Sequence, residues 1–169
     1  AYREGYLEFE KGEAIAAVKK FNEAELLFPQ SPWAAKSAIM AAYVYYSQGY
    51  YGDAAYELER YLTTYPNHKD KPYAHFLLGM TFYETIVDEK KDLRSILDSK
   101  KQFEIIIKEY PKTEFAIDAK FKIDLITEIL AGKEMYLARY YLDRSKWIPA
   151  LNRYKKVIDE YSTTIYAEE

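Results

Sequence analysis

A short phrase recurs four times along the chain and limits what it can fold into. An aromatic residue precedes a helix break, and an aromatic–Ala pair follows it. The copies are Phe28-Pro29-Gln30-Ser31-Pro32-Trp33-Ala34, Tyr65-Pro66-Asn67-His68 leading to Tyr73-Ala74, Tyr110-Pro111-Lys112-Thr113-Glu114-Phe115-Ala116, and Tyr161-Ser162-Thr163-Thr164-Ile165-Tyr166-Ala167. Proline cannot continue a helix and pushes the residue before it out of the helical region. Ser31 and Thr113 are good N-caps, and Pro32 sits at the favoured first helical position. Each copy therefore reads as one helix ending and another beginning.

The register between breaks sharpens this. Twelve residues before positions 29, 66, 111 and 162 stand Ala17, Ala54, Ser99 and Ala150, and eight before stand Phe21, Leu58, Phe103 and Tyr154. Small residues Gly5, Ala42, Gly79 and Ala138 fill a matching place in each preceding helix, and Gly12, Gly49, Gly52 and Ser145 mark turns inside the pairs. A tetratricopeptide repeat, at about 34 residues, is a helix–turn–helix with small residues where its helices touch and Pro closing the second. The spacings here are 37, 45 and 51 residues. No strict apolar–polar alternation with Asn-Gly turns signals strands. The expected fold is all-α, an α-solenoid of tetratricopeptide-like helix–turn–helix repeats in a single domain over 1–169. Its repeats fall at about 1–30, 31–67, 70–112 and 113–162, with the start of a fifth at 163–169.

The expected helices cover about 2–11, 13–27, 32–47, 51–64, 71–87, 96–109, 113–143 and 147–160. The seventh spans 31 residues with Gly132 inside it, so one long helix, about 46 Å at ~1.5 Å per residue, competes with two helices broken at that glycine. The run Asp88-Glu89-Lys90-Lys91-Asp92 reads as a charged insertion lengthening the third repeat. The start at Ala1 and the entry phrase at the very end suggest an excerpt of a longer protein, cut at both ends.

Composition narrows the function. Nineteen Tyr against eight Phe and two Trp suit thin, half-wet layers. A net charge of −3 lacks the clustered basic surplus that a general nucleic-acid binder needs, and the absence of cysteine removes disulfides, thiolate metal sites and Cys nucleophiles. No apolar stretch approaches the ~18 residues of a membrane span. His68 and His75 form no His-Glu-x-x-His pair, and Gln48-Gly49-Tyr50-Tyr51-Gly52 lacks the Lys-Ser/Thr of a phosphate loop. No Gly-x-Ser-x-Gly elbow is present. The acidic residues interleave with Lys as in a solvated helix face. No catalytic constellation, metal site or cofactor is expected.

Two groups of residues invite a binding role. Tyr43, Tyr46 and Tyr50 share one helical side, where they either fill seams between layers or line a groove that captures extended peptides. Trp33 and Trp147 each open a helix, so core packing at a repeat junction is expected of both. The run from Ala138 to Tyr154 brings Arg139, Arg144 and Arg153 toward one corner, either as solvated charges or as bidentate partners of carboxylates.

That run, Ala138-x-Tyr140-Tyr141-x-x-Arg144-x-x-Trp147-x-x-Ala150-x-x-Arg153, joins the Tyr65-Pro66 break followed by Tyr73 and the phrase Tyr110-Pro111-x-Thr113-x-Phe115-Ala116. With them the whole chain resembles the BamD (YfiO/ComL) lipoproteins of the outer-membrane β-barrel assembly machinery. Ser162 departs from the Pro that the family often has there. The resemblance implies five repeats, a lipidated Cys upstream of Ala1 as the sole membrane attachment, and a place on the periplasmic face of the outer membrane. It implies docking on a POTRA domain of the insertase BamA through Arg153, Arg144, Tyr140 and Asn152, with Arg153 pairing an acidic residue. It also implies that the first repeats, around Trp33, Tyr43 and Tyr46, receive extended segments of unfolded outer-membrane proteins or of other Bam lipoproteins. No catalysis and no nucleic acid enter. The alternative is a soluble tetratricopeptide adaptor or co-chaperone, against which counts the lack of a Lys/Asn/Arg carboxylate clamp in the first two repeats.

Overall fold

The computed structural model describes residues 1–86 and 93–168, so the charged insertion expected at Asp88–Asp92 lies outside the described residues. Among the described residues the chain forms α1 (Tyr2–Glu10), α2 (Ala14–Leu27), α3 (Pro32–Ser47), α4 (Tyr51–Thr64), α5 (Lys71–Glu84), α6 (Leu93–Glu109), α7 (Glu114–Leu142) and α8 (Trp147–Glu160), then a short 3-10 turn, Ile165–Ala167. No strand is present among them. Each helix packs on the next, and α1 on α3, α3 on α5 and α5 on α7 as well. This is the serial packing of a helical solenoid.

Local chemistry sets the boundaries. The Ser31 hydroxyl accepts from the Trp33 N–H at 3.2 Å and caps α3, with Pro32 opening the helix. Thr113 stands at the N-cap of α7 without capping it; its hydroxyl donates to the Tyr110 carbonyl at 2.8 Å. Thr164 repeats that bond to Tyr161 at 2.7 Å, so the fourth break keeps the geometry of the third although Ser162 replaces proline. Inside the pairs the chain reverses through positive φ at Gly12 (+83°), Gly49 (+76°) and Ser145 (+56°). Nothing stands within 4 Å of a Cβ added at either glycine, so backbone conformation alone selects glycine there.

The packing register is that of interlocking small and large residues. Phe21 and Phe103 are fully buried, and a Cβ on Gly5 or Gly79 would stand 2.9 or 2.8 Å from their rings. Ala17, Ala54, Ser99 and Ala150 are all buried. Ser99 takes the place of an alanine without leaving a stranded hydroxyl, because its Oγ donates to the Gly79 carbonyl at 2.8 Å. Tyr154 differs from the other large residues in being half-exposed.

Helix α7 runs 29 residues unbroken through Gly132. The part before Gly132, with Ala116, Ala119, Ile126 and Leu130, closes a core with Ile96, Phe103 and Ile106 of α6. The second half of α7 packs on α8. Gly132 makes room for an aromatic residue: a Cβ there would stand 3.0 Å from the Tyr166 hydroxyl.

Two expectations are corrected. Trp33 and Trp147 are not core residues, being 52% and 66% exposed. Each sits in the first turn of its helix, with the rest of the helix and not the side chain carrying the junction. Tyr50 leaves the side shared by Tyr43 and Tyr46, because α3 ends at Ser47 and Tyr50 becomes the N-cap of α4.

Candidate partner-binding surface

The second half of α7 turns Ala131, Glu134, Met135 and Ala138 inward, an apolar stripe at helical spacing with one carboxylate in it. Glu134 is only 8% exposed. Its two oxygens serve two cations of α8: Arg153 Nη1 donates to Oε2 at 2.8 Å, and Lys156 Nζ donates to Oε1 at 2.8 Å. Burial pushes the Glu134 carboxyl up. The hydrogen bonds from Lys156 and Arg153 together outweigh it and hold the group below the usual carboxylate range. The same bond to Glu134 raises Lys156.

Arg153 and Lys156 lie three residues apart on one face of α8, and with Tyr141, Pro149 and Asn152 they line an open depression of about 360 Å3. Arg153 keeps further donors of its five-donor fork beyond the Nη1 bond to Glu134. Asn152 is exposed beside it. The arrangement suits an incoming carboxylate: two oriented cations, an amide, and an aromatic wall.

The other two expected partner-binding residues form a separate pairing. The Arg144 guanidinium lies 3.7 Å from the centre of the Tyr140 ring and donates to the Tyr140 carbonyl at 3.3 Å, at the turn between α7 and α8. Tyr140 in turn meets Tyr141 edge-on at 5.7 Å, which links this stack to the wall of the depression. Arg144 and Arg153 thus reach the same region through different neighbours.

At the other end, Trp33 lines an apolar cleft of about 550 Å3 with Tyr2, Tyr6, Ala24 and Phe28. The Tyr2 ring lies 4.9 Å from it, and the Lys36 ammonium 4.9 Å from its centre. Tyr43 and Tyr46 are not in that cleft. Tyr43 packs edge-on to Phe9 at 5.9 Å and Tyr46 tilts against Tyr51 at 5.8 Å, both against the core shared by α3, α4 and α5. Ten residues of helix, ~15 Å, separate Trp33 from Tyr43. Tyr73 joins the tyrosine seam, its hydroxyl pushed to about 12 by burial. The seam and the cleft are two distinct places.

The sequence pattern gives no hint of a second ionic knot. Arg60 of α4 holds buried Glu25 of α2 in a two-pronged pair, 2.8 Å to Oε1 and 2.7 Å to Oε2, and also bonds Glu57. The Tyr65 hydroxyl donates to Glu25 at 2.8 Å. Burial raises Glu25, while Arg60 and Tyr65 overcome that and lower it. Both histidines have local partners: His68 Nδ1 lies 2.8 Å from the Tyr61 hydroxyl, and His75 Nδ1 lies 2.9 Å from Gln102 Oε1. Among the described residues no group of His, Asp and Glu side chains is gathered to hold a metal ion, and no helix is long and apolar enough to cross a membrane.

The model of a family described as YfiO, outer membrane lipoprotein, matches residues 1–169. A protein of Caulobacter vibrioides named outer membrane protein assembly factor BamD is 33% identical over 168 residues, covering 99% of this chain and 55% of that protein. Proteins of the same name from Rickettsia prowazekii (33% over 168 residues) and Neisseria gonorrhoeae (30% over 178 residues) each align with 99% of this chain and 67% of their own length. The chain thus spans between about half and two thirds of these relatives.

Proposed function

The chain belongs to the YfiO family of outer membrane lipoproteins, and from that membership we propose that it is a non-enzymatic factor of outer-membrane protein assembly, working at the periplasmic face of the outer membrane. The observation that carries the reading is the match along the entire chain together with relatives named assembly factor BamD. In this reading the four helix pairs are its repeats, and the membrane is reached through a lipid anchor outside the present sequence.

The docking surface for the rest of the assembly is the depression of Asn152, Arg153 and Lys156, flanked by the Tyr140–Arg144 stack. The partner is an acidic face of a POTRA domain of the insertase BamA. Charge complementarity steers such contacts and fixes their register, and a like-charged surface is rejected. The tyrosine seam and the Trp33 cleft are the places for extended segments of client barrel proteins or of other Bam lipoproteins. The cleft is strongly apolar and rimmed by Tyr2, Tyr6 and Trp33, which suits aromatic side chains of an unfolded client.

Site-specific photocrosslinking in cells tests the docking surface. A photoreactive residue at Asn152 should yield an adduct with BamA, and one at Tyr56, exposed on α4, should not. No adduct from Asn152, or equal adducts from both positions, would remove this interface.

A further inference from the structure

Resting on the reading of the Arg153 depression as a docking site for an acidic partner surface, we infer that Glu134 is a positioning residue for that docking, holding Arg153 and Lys156 as a preset pair for the partner's carboxylate. The geometry carries this. Glu134 is 8% exposed, so it does not itself face a partner, yet each of its oxygens receives one of the two cations that line the depression. Between Lys133 and Lys156 the chain has seven basic residues and two acidic ones, on a chain of net charge −3. Of the two acids, Asp143 lies in the turn, and Glu134 is the one in contact with the site.

Without the Glu134 charge, Arg153 and Lys156 stand as like charges three residues apart on one helical face and spread into solvent. Both are long side chains whose ordering costs conformational entropy when a partner docks. Glu134 orders them beforehand through one carboxylate shared by both, while Glu160 reaches only Lys156, at the longer distance of 3.9 Å. The Nη1 bond restrains the guanidinium, and Glu134 takes up none of the other donors of the fork. A carboxylate from the partner then completes the shell around Arg153.

The test is a double-mutant cycle, titrating the chain against the purified POTRA region of the same organism's BamA. The variants are Glu134→Gln, Arg153→Gln and the double variant, each checked for its helical signal and melting temperature. Glutamine keeps the size and one acceptor and removes the charge. The expected result is about a tenfold loss of affinity for Glu134→Gln, and a double variant no weaker than Arg153→Gln alone. A purely structural role would leave the affinity of the folded Glu134→Gln variant at the parent's value, whatever its melting temperature. Should Glu134→Gln melt below the assay temperature, Glu134→Asp keeps the charge but draws it back from both cations, and its affinity must fall likewise. If Arg153→Gln weakens binding while Glu134→Gln and Glu134→Asp bind as the parent does, Glu134 plays no positioning part and the docking site stands. If Arg153→Gln binds as the parent does, the docking site itself is wrong and this inference goes with it.

Discussion

Gly79 and the ring of Phe103 share one space: a Cβ on Gly79 would stand 2.8 Å from the ring edge, and Phe103 is fully buried. The close approach of α5 and α6 depends on that missing methyl. Overpacking a core in this way costs about 1–3 kcal/mol, against which alanine regains ~1 kcal/mol of helix propensity. Gly79→Ala should therefore lower stability by about 1 kcal/mol in urea unfolding. Adding Phe103→Leu should make the alanine less harmful, since the shorter side chain withdraws from the new methyl.

Ser145 holds φ +56° in the turn between α7 and α8, at the place that glycine takes in the turns at Gly12 and Gly49. A side chain in the left-handed region costs about 1 kcal/mol. Ser145→Gly is expected to raise stability by a few tenths to about 1 kcal/mol, the gain being trimmed by the extra freedom of glycine in the unfolded chain. A lowered melting temperature would contradict this.

The Glu25 carboxylate is closed in by Arg60 and Tyr65, and its partner is the only cation bonded to it among the described residues. Removing the guanidinium while leaving the carboxylate buried strands a charge. Arg60→Leu should cost about 1–3 kcal/mol. Glu25→Gln with Arg60→Leu should recover part of that loss, since no charge then remains buried without its partner.

Glu25 and Glu134 both bind protons more weakly folded than unfolded. The unfolded chain, with carboxyl pKa values of about 4.3, therefore takes up protons first as the pH falls. Both contributions are fully present at neutral pH, begin to fade as the pH drops toward that unfolded value, and are lost below the depressed folded values. Melting temperature should fall below about pH 4.5, and the double variant Glu25→Gln, Glu134→Gln should show a shallower fall than the parent.

The helices and their order are legible in the sequence because proline, capping residues and the small–large register are local signals. Gly5, Gly79, Phe21 and Phe103 sit where that register puts them. The ionic knots are less legible. Glu25 and Arg60 are 35 residues apart, and nothing local marks them as partners. Glu134 does leave a trace, a lone carboxylate within the stripe of Ala131, Met135 and Ala138, and a charge at a core position asks for a buried partner. Thr113 was indistinguishable from a capping threonine by sequence, since its hydroxyl has two local bonds to choose from. Trp33 and Trp147 stay exposed because the smaller residues on their helices, Ala34 and Ala150, make the close contacts.

The role of the Arg153 depression is tested most directly by titrating the chain against the POTRA region of the same organism's BamA, with Arg153→Glu in parallel. Docking through Arg153 predicts micromolar or tighter binding in the parent and at least a tenfold loss in the variant, about 1.4 kcal/mol. Equal affinity of parent and variant, or no binding by a folded parent chain, would contradict it.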